Sequence, residues 1–196
     1  LLDGIDEPTP EAIASLHDEV VRLRRLVADL ETLAAAEAAG LRLDPVPVDL
    51  ADIAHITVDL LGPLAEERNI TIEIDAGPTP IHADPDRLQQ IVVNLVANAV
   101  KFTPPRGTVT VTTTAGDRSA VLRVTDTGPG LSDDELPHLF ERFWRGHAAS
   151  NAHGSGIGLA VVAELVAAHR GTVVAANRPG GGAEFTVTLP SGTMPE

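Results

Sequence analysis

The chain has no cysteine and no tyrosine, and only one tryptophan, one methionine and one lysine among its 196 residues. Without cysteine there is no disulfide, no thiolate metal ligand and no cysteine nucleophile, which fits a reducing compartment. Long apolar runs are also missing: no stretch is suited to spanning a bilayer, and the first residues lack the charged start and apolar run of a secretory signal. The expectation is a soluble intracellular chain with no direct membrane contact. Basic residues are scarce too, 14 Lys and Arg against 28 Asp and Glu, for a formal net charge of −14. No basic run offsets that excess, which argues against a nucleic-acid partner. An anionic ligand would need local help from backbone amides, a divalent cation or one or two well-placed cationic side chains.

Against this background Lys101 stands out, because every other cationic side chain is arginine. A compact, rotatable ammonium suits a site that wants a point charge on phosphate. Lys101 lies in the first of three ordered stretches: NLVANAVKFT from Asn94 to Thr103, DTGPGL from Asp126 to Leu131, and GSGIGL from Gly154 to Leu159.

Residues 1–42 differ from the rest. Leu1 to Gly4 reads as the end of something larger, and Thr9-Pro10 supplies an N-cap and a first-turn proline. Ile13, Leu16, Val20, Leu23, Val27, Leu30 and Ala34 then recur at alternating steps of three and four, up to Gly40. That spacing is the seam of a coiled coil or bundle. One such helix cannot bury its own seam, so a dimeric bundle is expected; the alternative is a helix folded back on its own domain. Residues 43–196 read as the second domain. Residues 44–48 form an extended linker, 49–69 a helix interrupted at Gly62-Pro63, and Ile70 to Ile74 a strand. Asp84-Pro85 caps a helix reaching about Phe102, and strands follow at Thr108 to Thr114 and Ala120 to Asp126. A helix from Gly158 to His169 and strands at Thr172 to Ala176 and Glu184 to Leu189 complete the pattern. The class is α+β: a two-layer sandwich of a mixed sheet with helices on one face, preceded by a bundle helix.

On the helix after Asp84, Leu88, Val92, Leu95 and Ala99 share a face that must pack on the sheet. Arg87, Gln90, Asn94, Asn98 and Lys101 line a second stripe, which on an isolated helix is better read as a solvated face. Its neighbours favour a ligand. An Asn carbonyl is a hard oxygen donor suited to Mg²⁺, a cation that keeps several waters and is completed by phosphates; Asn98 fits that role, with Lys101 on the phosphates themselves. Asp126 ends an alternating strand, where its carboxylate suits an exocyclic amine such as adenine offers. Gly128 and Gly130 allow the backbone close to a base or ribose. Gly154, Ser155, Gly156, Ile157, Gly158 and Leu159 open an apolar helix, so their amides can face an anion.

These stretches resemble the asparagine box and the two glycine boxes of the ATP-binding catalytic domain of bacterial sensor histidine kinases. Phe140 to Arg145, FERFWR, resembles the phenylalanine box. The wider fold group includes DNA gyrase, heat-shock chaperone ATPases and MutL-type repair proteins. The resemblance covers roughly residues 45 to 190, and residues 5 to 42 are similar to the second helix of the dimerisation and phosphotransfer bundle. It implies a Bergerat-type ATP-binding fold, ATP and Mg²⁺ as ligands, a homodimer through the bundle, and a response-regulator receiver domain as partner. Carried onto this sequence, it gives Asn98 to Mg²⁺, Lys101 and Arg145 to the terminal phosphates, Asp126 to the adenine amine, Leu131 to the nucleotide-binding set, and Arg145 to Gly154 to a mobile lid. Phe102, where the family often has Tyr, either lines the base site or is a core residue at the helix end. In the water-splitting members a glutamate stands where this chain has Asn94. An amide cannot take a proton from water, so the resemblance implies a pocket that donates its γ-phosphate instead of hydrolysing it.

The acceptor box of such kinases, a His with an acidic neighbour and a following Thr-Pro, is not found in the chain, and the expectation places it upstream of Leu1. His17 has an acidic neighbour but no Thr-Pro and reads as an exposed helix histidine. His147 and His153 fall in the lid. Two alternatives accompany the kinase reading: a nucleotide-gated interaction module that performs no transfer, and an anti-sigma-type serine kinase, which would not normally carry the bundle helix.

Overall fold

Period-two alternation of Val, Thr and Ile in the middle and end of the chain builds one five-stranded sheet that carries everything else. The computed structural model describes residues 42–144 and 156–191, together with Thr9, Ile13, Leu16, Glu19, Val20, Leu23, Arg24 and Val27. The strands are β2 (Thr71–Ala76), β4 (Thr108–Ala115), β5 (Ser119–Asp126), β6 (Thr172–Asn177) and β7 (Ala183–Pro190), in spatial order β2-β4-β5-β7-β6. β2 pairs parallel with β4 and every other pairing is antiparallel, so the sheet is mixed. Buried and less buried positions alternate along β4 and β7, with Val109, Val111, Phe185 and Val187 turned to the core.

Three helices cover that apolar face: α1 (Leu50–Glu67), α2 (Pro85–Phe102) and α3 (Gly158–Ala168). α2 lies between the other two. Its buried face includes Leu88, Val92, Leu95 and Ala99, as its spacing predicts, and adds Ile91, Val96 and Val100. Each buried Leu, Ile and Val side chain contributes roughly 1.5–3 kcal/mol through burial.

Three local expectations need correction. Gly62-Pro63 does not interrupt α1, which runs through Pro63. Pro63 sits on the exposed side while Leu61 and Ala65 on the opposite face are buried, so packing holds the helix across the missing N–H. The supposed linker contains β1 (Val46–Asp49), paired antiparallel with β3 (Pro80–Ala83) in a separate two-stranded sheet. β3 is absent from the sequence reading. The first strand of the large sheet begins at Thr71, because Ile70 still donates its N–H to the Ala65 carbonyl and Asn69 turns the chain at φ 54°.

At the N-terminal helix, Ile13, Leu16, Val20, Leu23 and Val27 are all more than half exposed, Leu16 at 64 %. The described part of that seam therefore does not fold back onto the domain. Leu30, Ala34 and Gly40 lie outside the described residues.

Candidate nucleotide-binding site

α2 positions the first stretch. Asp84 is its N-cap: Oδ1 accepts from Asp86 N and Arg87 N at 3.1 and 3.2 Å, and Oδ2 accepts from Asp44 N at 3.0 Å. With its apolar face fixed on the sheet, the second stripe is left half-buried, at Arg87, Gln90, Asn94, Asn98 and Lys101. Arg87 donates to Gln90 Oε1 at 3.2 Å. Nδ2 of Asn94 is buried and has no hydrogen-bond partner among the described residues. Leaving such a donor unpaired costs about 1–3 kcal/mol, so the position is suited to a ligand or water that accepts from it. Lys101 Nζ stands 4.7 Å from the centre of the Phe102 ring, and Arg68 donates to the Lys101 carbonyl at 3.0 Å. Phe102 is half-buried, so it is not a sealed core residue.

The second stretch meets the end of α2. Asp126 closes β5 and is 4 % exposed. Its Oδ1 accepts from Gly128 N at 2.7 Å and from Ala183 N at 3.2 Å, whereas no described residue donates to Oδ2. One carboxylate oxygen is thus fixed by the backbone and the other is left for a donor from outside. A Cβ at Gly128 would stand 2.8 Å from Asp126 Oδ1 and 2.9 Å from the Phe102 carbonyl oxygen, so only glycine lets the loop approach the helix this closely.

The third stretch opens α3 beside the first. A Cβ at Gly158 would touch Asn94 Oδ1 at 3.5 Å. Ile157, the N-cap of α3, offers no side-chain capping bond, and no acidic residue lies in the first turn. That leaves an electropositive helix end without a carboxylate of its own. Gly156, at φ 71°, lies against the phenylalanine-box segment: a Cβ there would come within 2.6 Å of the Trp144 carbonyl oxygen. The same segment is tied to α3 by Arg142 and Glu164 at 3.1 Å, and Phe140 packs on the core while Phe143 is 63 % exposed. Arg145, Gly154 and Ser155 lie outside the described residues, as do His17, His147 and His153.

Asn94 with Gly158, and Phe102 with Gly128, therefore join three stretches that are far apart in sequence. Among the described residues no group of three or more His, Cys, Asp or Glu could hold a metal ion. A divalent cation here fits a hard amide oxygen at Asn98 completed by phosphate and water, not a carboxylate cage.

A family model described as Histidine kinase-, DNA gyrase B-, and HSP90-like ATPase matches residues 83–193. The chain belongs to this ATPase family. Signal transduction histidine-protein kinase BaeS of Escherichia coli (strain K12) is 35% identical over 191 residues, covering 96% of this chain and 41% of BaeS. The chain thus spans less than half the length of that curated relative. Histidine kinase AdeS of Acinetobacter baumannii has the same fold with a TM-score of 0.82 at 26% identity, over 98% of this chain and 90% of that one. Full-length ShkA, solved in complex with AMPPNP, gives a TM-score of 0.82 at 34% identity, over 96% of this chain and 41% of that one. The mixed sheet with helices on one face is the Bergerat-type arrangement of these kinases, as the sequence resemblance implies.

Both β6 and β7 are expected from the sequence, but the contacts of their hairpin with the second stretch are not. Ala183 bonds Asp126, Arg178 donates to the Asp126 carbonyl at 3.1 Å, and Asn177 holds Leu131. The only signal in the sequence is the run Gly180-Gly181-Gly182, in which all three residues have positive φ. A Cβ at Gly182 would overlap the Asp126 carbonyl oxygen.

No helix among the described residues is long and apolar enough to cross a membrane.

Proposed function

We propose that residues 43–196 form the ATP-binding catalytic domain of a two-component sensor histidine kinase, and that residues 1–42 belong to its dimerisation and phosphotransfer bundle. In this reading Asp126 Oδ2 accepts from the adenine amine, and Gly128, Gly130 and Leu131 flank the base with Phe102. Lys101, Arg145 and the amides of residues 154–159 hold the phosphates. Asn98 supplies an oxygen to Mg²⁺, which when bound neutralises charge on the phosphates. The γ-phosphoryl group passes to a histidine nitrogen: the bond to the ADP oxygen breaks as the N–P bond forms. The chain's own part is positioning and charge neutralisation, as in phosphoryl transfer generally. The phosphohistidine then serves an aspartate on a response regulator. The domain would work on the cytoplasmic side of a membrane-anchored sensor.

The observation that carries the reading is the amide of Asn94, beside Asn98 and Lys101 and against the start of α3. A general base at that position would favour water as the acceptor; an amide does not. The test mixes the chain with a bundle fragment bearing an acceptor histidine and γ-labelled ATP. Acid-labile phosphohistidine is the expected product. Tight ATP binding without transfer would overturn the kinase reading in favour of a nucleotide-gated interaction module, and acid-stable phosphoserine would favour a serine kinase.

A further inference from the structure

The β6–β7 hairpin contributes none of the three stretches, yet it grips DTGPGL at four points. Asn177 Nδ2 donates to the Leu131 carbonyl at 2.7 Å, and Leu131 N donates to Asn177 Oδ1 at 2.7 Å. Arg178 donates to the Asp126 carbonyl at 3.1 Å, and Ala183 N to Asp126 Oδ1 at 3.2 Å. We propose that Asn177 is a positioning residue for base recognition: by pairing with both polar backbone groups of Leu131 it fixes the turn that aims Asp126 at the base. This rests on the assignment of Asp126 to the adenine amine.

The chemistry at Asn177 is specific. A carboxamide presents one donor and one acceptor side by side, which is what the N–H and C=O of a single residue require. A carboxylate of the same shape has two acceptors and would meet the Leu131 carbonyl with repulsion. The approach also depends on Gly130, at φ 79°, where a Cβ would stand 2.8 Å from Asn177 Oδ1. Asp126 feels both sides of this clamp. Its Oδ1 is bonded on one side to Gly128, inside the loop, and on the other to Ala183, inside the hairpin. The direction of Oδ2 is therefore set by how loop and hairpin sit against each other, and Asn177 fixes that relation. Asn177 is exposed, so water competes for both bonds and their share of global stability is small. Their effect falls on the conformational spread of the loop.

The test uses the full chain and compares Kd for Mg-ATP and Mg-GTP in the wild type, Asn177→Ala, Asn177→Asp and the control Lys101→Ala, with melting temperature alongside. Asn177→Ala is expected to weaken ATP about three- to tenfold while GTP changes little and the melting temperature holds. Asn177→Asp, although isosteric, is expected to lose at least as much. Lys101→Ala should weaken both nucleotides alike. If Asn177→Asp binds ATP as the wild type does, or if Asn177→Ala weakens ATP and GTP by the same factor, Asn177 is only a structural staple and the proposal falls. A wild type with no preference for ATP over GTP would instead overturn the assignment of Asp126 itself, a result separate from either Asn177 variant.

Discussion

The backbone N–H of Asp84 donates to Nε2 of His169 at 3.2 Å, which bonds the N-cap of α2 to the C-cap of α3. His169 is 2 % exposed, and its Nδ1 lies 2.8 Å from the Leu165 carbonyl. A carbonyl only accepts, so Nδ1 carries the proton and Nε2 is left as the acceptor for Asp84. The ring thereby braces the two helices that bring Asn94 and Gly158 together. His169→Ala would strand the Asp84 N–H and open a cavity. We expect a loss of about 2–4 kcal/mol, read from the urea midpoint. His169→Gln should recover part of it; an unchanged midpoint in the Ala variant would show that the brace contributes nothing.

Asn98→Ala removes the amide oxygen assigned to the cation but leaves the buried face of α2 intact. Mg-ATP affinity is expected to fall at least about tenfold, a loss of roughly 1.4 kcal/mol or more. In EDTA the variant and the wild type should bind ATP alike. A defect that persists without the cation would move Asn98 from metal to phosphate.

Asp126→Asn retains an Oδ1 that can accept from Gly128 and Ala183 but offers an amide donor where adenine also donates. ATP affinity should fall about ten- to hundredfold, in line with a hydrogen bond to a charged group. Calorimetric titration with ATP and GTP would check this, since the guanine carbonyl on that edge suits the new donor. Equal binding of ATP by wild type and variant would remove Asp126 from the base site.

Two backbone substitutions should act in opposite directions. At Gly182, φ is 89° and a Cβ would overlap the Asp126 carbonyl, so Gly182→Ala is expected to cost about 2–4 kcal/mol and to lower ATP affinity as well. Pro63→Ala restores an N–H in the middle of α1 at an exposed position and should stabilise the domain by about 1 kcal/mol or more. Thermal melts of the two variants would check both signs.

How far the sequence speaks for itself varies by element. α2 is legible throughout, because Asp84-Pro85 starts it and its apolar positions keep one face for eighteen residues. The strands of the large sheet show period two and fall within a residue or two of their expected ends. β1 and β3 are not legible. Each has four residues, too few to display a period, and each contains a proline that reads as a breaker. Both are free edges of a two-stranded sheet, where proline is tolerated. Pro63 misleads for a related reason: its local penalty is real but is outweighed by packing on the opposite face. The boxes assigned to the phosphate side are local and visible. The hairpin contacts to Leu131 and Asp126 join residues 46, 52 and 57 positions apart, and no local pattern announces them.

The amide that fixes Asp126 Oδ1 from the hairpin side arrives 57 residues after Asp126 itself. During synthesis the α2 residues assigned to the phosphates, and Asp126 at the end of β5, all emerge before β7 exists. Domains fold as units once their elements are available, so the base side cannot be set until the last strand pairs with β5. On the proposed assignment of Asp126, nucleotide affinity is then acquired in one late step, and a chain interrupted before Ala183 is expected to bind ATP poorly.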